Sequence, residues 1–156
     1  MDVFKPTIAD TGVIVAYLIK KDQWHQWTLE QMRNLPTPFL TCEAVITGAC
    51  FLMQTKPDGR ADVLKMLVES ALQIDFSLSD EISEIKKLIK KYDGVPMDFA
   101  DACLVRMSEL IENSVVFMVD GDFPVFRKKG KKEIPYDLSR LTSKLSCCYN
   151  NFIQHK

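Results

Sequence analysis

Apolar residues fall into short blocks along the chain, and the spacing changes from block to block. Thr7-Ile8-Ala9 predicts a short strand, and the unbroken apolar run Val13 to Ile19 predicts a buried helix packed on a sheet, with Asp10 between them. Trp24, Trp27, Leu29, Met32 and Leu35 recur at helical spacing until Pro36 and Pro38 stop the pattern. Phe39-Leu40 predicts a brief strand, and Ala44 to Met53 a further helix ending before Lys56-Pro57. Arg60 to Leu72 repeats the helical theme, with Val63, Leu64, Leu67 and Val68 as its apolar stripe. Gln73 to Phe76 alternates as a strand does, and Ser79-Asp80-Glu81 supplies a helix cap with acids in the first turn. Ile82, Ile85, Leu88, Ile89 and Tyr92 form the stripe of that helix, and Lys86, Lys87, Lys90 and Lys91 fall outside it. Asp93-Gly94-Val95-Pro96 breaks the chain before a helix over about Phe99 to Glu112. Val115 to Val119, β-branched and apolar, predicts a central, buried strand.

Strands alternating with helices define an α/β class: a three-layer α/β/α sandwich around a mainly parallel sheet. At 156 residues the chain suits one domain. That domain is expected over residues 1–138, with 139–156 a loosely attached helix or frayed tail, because patterning fades after Asp137. Apolar residues make up 47% and charged residues 26%, a globular composition. The longest apolar run is far short of the roughly 20 residues that span a bilayer, and Met1-Asp2 lacks the basic start of a signal peptide. A cytoplasmic protein with no membrane partner is therefore expected. Cys42, Cys50, Cys103, Cys147 and Cys148 form no C-x-x-C pair, so reduced thiols are expected, the first three as small core residues. A net charge of −1 carries no overall field for nucleic acid, so such a role must rest on local charge.

The acids supply the candidate chemistry. In parallel sheets functional groups collect at the carboxyl ends of strands. Asp10 ends the first strand, and Asp120 with Asp122 ends the last; Asp98 and Asp101 open a helix with a spacing that puts both carboxylates on one face. Several carboxylates in one place are costly unless a cation neutralises them, and without nearby histidine or cysteine they suit Mg²⁺ or Mn²⁺. Each acid also has a plain structural role to weigh against this. Asp10 and Asp98 are good helix caps, and Asp120-Gly121-Asp122 is turn chemistry. Asp10-Thr11-Gly12 also matches the tripeptide of aspartic proteases, but that site needs two such aspartates sharing a proton, and the chain has one. His25 reads as a packing residue at a helix start, and Trp24/Trp27 as core or flank. Arg127-Lys128-Lys129-Gly130-Lys131-Lys132 is either a solvated loop or a hold on a phosphate backbone.

Four segments in this order, "IADTGVIVAYLIKKDQWH", "LTCEAVITGACFLM", "MDFADACLVRMSE" and "VFMVDGDFPVFRKKG", resemble a PIN domain of the kind found in VapC-type toxins, over about residues 7–137. The resemblance implies a parallel α/β/α fold and endoribonuclease activity that depends on Mg²⁺ or Mn²⁺. It also implies RNA as substrate, frequent homodimers and a cognate antitoxin. By position Asp10, Asp101 and Asp120 would be the core catalytic and metal-binding acids, Asp98 and Asp122 would assist, and Arg127, Lys128 and Lys129 would touch RNA. One departure stands out: Gly48 occupies a place where similar proteins carry a glutamate. Glu43 is a poor substitute on a helical wheel, since five positions at about 100° leave it roughly 140° away. The expected function is a metal-dependent ribonuclease, the toxin of a toxin–antitoxin pair, weakened by Gly48; the alternative is a catalytically inactive scaffold that binds RNA or a partner protein.

Overall fold

In the computed structural model, residues 5–119 are described in full, together with the backbone of three short strands at 127–128, 132–133 and 136–137. Strand β1 (Thr7–Ala9) is buried along its whole length and runs into helix α1 (Thr11–Leu18). Helix α2 (His25–Asn34) and strand β2 (Phe39–Thr41) follow, then helices α3 (Glu43–Leu52) and α4 (Gly59–Val68) and strand β3 (Leu72–Ile74). Helices α5 (Leu78–Lys91) and α6 (Phe99–Leu110) lead to strand β4 (Val115–Phe117). Strands β5 (Arg127–Lys128), β6 (Lys132–Glu133) and β7 (Tyr136–Asp137) complete the described elements.

The central sheet has the order β3-β2-β1-β4-β7, and every pairing in it is parallel. Parallel strands need crossovers, which the helices supply, and those helices bury both faces of the sheet. Helices α1 to α4 touch one another as one group; α5 packs on α6, and α6 lies against β1 and β4. The layers are those of a PIN-like α/β/α sandwich. The chain leaves β1 towards β2 and β3 and returns to β4 on the opposite side, so the strand order reverses beside β1. Crevices open at the carboxyl edge of such a switch. The core is filled by Ile8, Ile14, Phe39, Leu104, Met107 and Phe117, all essentially without exposure.

Several elements differ from the sequence expectation. Helix α4 ends at Val68 rather than reaching Leu72, which instead starts β3, and β3 stops at Ile74 instead of Phe76. The α4 stripe is narrower than expected. Val63 and Met66 are buried, whereas Leu64 and Val68 are exposed, since each lies about 100–140° around the helix from Val63. Helix α5 starts at Leu78 with Ser77 as its N-cap, so Ser79 sits inside the first turn instead of capping it. Its stripe buries Ile85 and Leu88 and leaves Ile82 and Ile89 exposed. Arg127 and Lys128 lie in an antiparallel ribbon with β6, not in a loop. His25 has a packing role, its Nδ1–H donating to the Ala16 carbonyl at 2.7 Å. Trp27 leans on Phe117 in the core, with ring centroids 5.6 Å apart. Among the described residues no helix is long and apolar enough to cross a membrane. The expected tail at 139–156 lies outside the described residues.

One ionic group ties α5 to α6. Arg106 donates from Nε to Glu81 at 2.5 Å and from Nη1 to Glu109 at 2.9 Å. Burial opposes the charge on Arg106, yet the two carboxylates outweigh it and hold the guanidinium above its ordinary pKa. Arg106→Met leaves two carboxylates partly buried without their cation, an expected loss of about 1–3 kcal/mol. Urea unfolding is the measurement, with a lower midpoint at unchanged slope. Lys87→Ala, which breaks only an exposed pair with Glu84, is expected to leave the midpoint where it is.

Candidate acid cleft

Parallel pairing brings the acids together. Ile8 faces Leu40 across the β1–β2 ladder, so two residues later Asp10 and Cys42 leave the sheet at the same level, and Glu43 follows directly. On the other flank of β1 the Asp10 N–H donates to the Phe117 carbonyl at 3.1 Å, extending the β1–β4 ladder one residue past the strand. Helix α6 begins at the same edge. Asp10, Glu43, Asp98 and Asp101 all line one cavity of about 1140 Å³. That lies at the upper end of the ~300–1,000 Å³ usual for a small-molecule pocket.

The acids are held by the helices they start. Asp10 is the N-cap of α1, its Oδ2 accepting from the Gly12 N–H at 3.4 Å. Asp98 and Asp101 form a reciprocal capping box on α6. Asp98 Oδ1 accepts from the Asp101 N–H at 2.7 Å, and Asp101 Oδ2 accepts from the Asp98 N–H at 3.0 Å. The structural role anticipated for Asp10 and Asp98 is thus present along with the shared cavity; one does not displace the other. Capping fixes the direction in which each carboxylate enters the cleft, as a preorganised site requires.

Two thiols reveal the local field. Cys42 and Cys103 both line the cavity and are only 1% exposed. Contact with Cys103 lowers the pKa of the Cys42 thiol against the opposing effect of burial, with help from the Val45 and Ala44 amides. Cys103 moves the other way. Its contact with Cys42 and its burial raise it above the usual thiol range, and the negative charges of Asp98 and Glu43 add to the rise. Asp98 and Glu43, from opposite walls of the cavity, therefore both bear on Cys103.

Glu43 is the residue that wheel reasoning discounted. The α3 segment is helical from Glu43 onward, and Glu43 and Gly48 nevertheless line the same cavity. At the first position of a helix no preceding turn stands in the way, so a wheel drawn for the helix interior does not exclude Glu43 from the cavity. Gly48 has a packing reason of its own: a Cβ there would meet Thr11 Oγ1 at 3.2 Å and Thr11 Cγ2 at 3.4 Å. Helices α1 and α3 approach closely at this point, and the Thr11 hydroxyl donates to the Val45 carbonyl at 3.4 Å.

Of the residues singled out in the sequence, the structure thus gathers Asp10, Asp98 and Asp101 around one cavity, with Gly48 in its wall. Asp120, Asp122 and Lys129, and the side chains of Arg127 and Lys128, lie outside the described residues. Among the described residues, no group of three or more acidic, histidine or cysteine residues is placed to hold a metal ion. Cys42 and Cys103 line the cavity, against the expectation of acids without nearby cysteine, but both thiols are buried, and the exposed ionisable donors are the carboxylates, whose oxygens fit a hard cation.

Fold and cleft together define a PIN-like α/β/α domain with an acidic crevice at its carboxyl edge. Among solved structures it resembles the Mycobacterium tuberculosis toxin VapC20, described as cleaving the sarcin–ricin loop, with 15% sequence identity and a TM-score of 0.66. The match covers 76% of this chain and 93% of VapC20. No protein-family model matches the sequence, and no curated protein matches it.

The Gly48–Thr11 contact is testable by a double-mutant cycle. Alanine exceeds glycine by about 1 kcal/mol in a helix interior. Gly48→Ala is expected to gain most of that in a Thr11→Ala background and clearly less with Thr11 present, as measured by urea unfolding.

Proposed function

We propose that this chain is an endoribonuclease that depends on Mg²⁺ or Mn²⁺ and acts as the toxin of a toxin–antitoxin pair. The observation that carries the proposal is that four acidic residues, from three separate segments, line one cavity at the carboxyl edge of a parallel sheet. The fold shared with VapC20 supports the choice of RNA as substrate.

Asp10 and Asp101, joined by Asp120, would hold the ion, with Asp98 and Asp122 assisting. Glu43 would add a carboxylate on the wall where Gly48 offers none. A bound divalent ion supplies Lewis acidity and an activated water for in-line attack on a phosphodiester. The protein contributes geometry. The cap bonds aim Asp10, Asp98 and Asp101 into the cleft before any substrate arrives, and Arg127, Lys128 and Lys129 would steady the flanking phosphates. No side chain needs to act as nucleophile. A homodimer and a cognate antitoxin belong to the same proposal, and a small open reading frame directly upstream would fit the latter.

A second reading has its own observation. Gly48 is packed against Thr11 and carries no acid, which fits a scaffold that binds RNA or a partner without cutting.

RNA incubated with Mn²⁺ decides between them. Cleavage is expected, and a chelator is expected to abolish it. Asp10→Asn, which retains a good helix cap, is expected to lower the rate by at least about 10²-fold with little change in stability. RNA bound tightly but never cut would favour the scaffold. Glu43→Gln is expected to weaken Mn²⁺ binding by calorimetry, and Gly48→Glu to strengthen it. An unchanged affinity in both would remove these two positions from the site.

A further inference from the structure

The wall of the acid cleft carries two phenylalanine rings that the fold does not use. Phe51 is 65% exposed and Phe99 is 42% exposed, and both line the cavity. Neither belongs to the hydrophobic core or to the side chains packed against it. Among the described residues the aromatic contacts join Trp24, Trp27, Phe117 and Phe39, and they leave both cleft rings without an aromatic partner. Placement follows from the local sequence. Phe99 is the first residue of α6, directly after Asp98 and within the Asp98–Asp101 capping box, so its backbone is fixed by the bonds that aim the acids. Phe51 lies three residues after Gly48, on the same face of α3 and about one turn further on.

We propose that Phe99, with Phe51, is a stacking platform for an unpaired nucleobase next to the phosphate held at the acids. The proposal rests on the ribonuclease reading above. A strand whose phosphate sits at Asp98 and Asp101 carries the adjoining base only one nucleotide away, and Phe99, next to Asp98 in the chain, lines the same cavity. Ring faces accept any base, because every base has a π-face, and one such stack contributes about 1–3 kcal/mol. Phe99 and Phe51 act here as positioning residues.

The test compares the full chain with Phe99→Ala, Phe99→Leu, Phe99→Tyr and Phe51→Ala. Single-stranded RNA carrying 2-aminopurine is titrated in the presence of Mn²⁺, with base fluorescence, cleavage kinetics and thermal unfolding measured on the same samples. Wild type is expected to quench the base. Phe99→Ala is expected to lose quenching, raise KM roughly 5- to 150-fold with a smaller change in kcat, and unfold at the wild-type temperature. Phe51→Ala is expected to act in the same direction. Phe99→Tyr should restore quenching and KM, and Phe99→Leu should not. Leucine restoring KM as fully as tyrosine would overturn the proposal and make the surface an apolar contact for a protein partner. RNA bound and cut equally by wild type and Phe99→Ala would overturn the stacking platform alone. A wild-type chain that neither binds nor cuts RNA would instead overturn the ribonuclease reading, and the platform with it.

Discussion

The acid cleft depends on the parallel ladder that β1 shares with β2 and β4. Strand β1 is only three residues long, buried throughout and bonded on both edges. Side chains alternate along a strand, so a slip of one residue would turn Asp10 away from its present direction and bring buried side chains to the wrong face. The 3.1 Å bond from Asp10 to Phe117 locks that register at the point where the strand becomes a helix. The level of Cys42, the start of α3 at Glu43 and the position of the cleft between α3 and α6 all follow from it.

Around that ladder the structure sets local repulsion against local order. The chain as a whole is nearly neutral, with a net charge of −1, yet four carboxylates share one cavity. Backbone N–H groups at the starts of α1 and α6 bond to three of them, and such groups carry the positive end of the helix dipole. Helix starts make the cluster tolerable without dispersing it. The positive charge of Arg106 is committed elsewhere, to Glu81 and Glu109 at the α5–α6 seam.

Much of this was legible in the sequence for a simple reason: short buried strands and the acids at their ends are local patterns. The strand Thr7–Ala9, the acid after it and the three-residue step from Asp98 to Asp101 needed no knowledge of long-range packing. Features that depend on a partner far along the chain were not legible. Gly48 looks like a defect in a helix until Thr11 is seen against it, and Glu43 looks misdirected until the open first turn of α3 is in place. Leu64, Val68, Ile82 and Ile89 count as core on a helical wheel, but the sheet and its neighbours reach only the centre of each stripe. Phe51 and Phe99 fit an apolar pattern equally well, and only their exposure sets them apart.

The capping box on α6 has a consequence for how this cleft changes through descent. Asp98 and Asp101 satisfy backbone donors that any folded version of the chain must satisfy, whatever the cleft binds. A lineage in which the cleft served no purpose would still lose stability by discarding them, so selection for folding alone preserves the pair. Their persistence among descendants is therefore weak testimony to a working enzyme. Residues that the fold can spare, such as Phe99 at the rim, would drift first and date the loss of function.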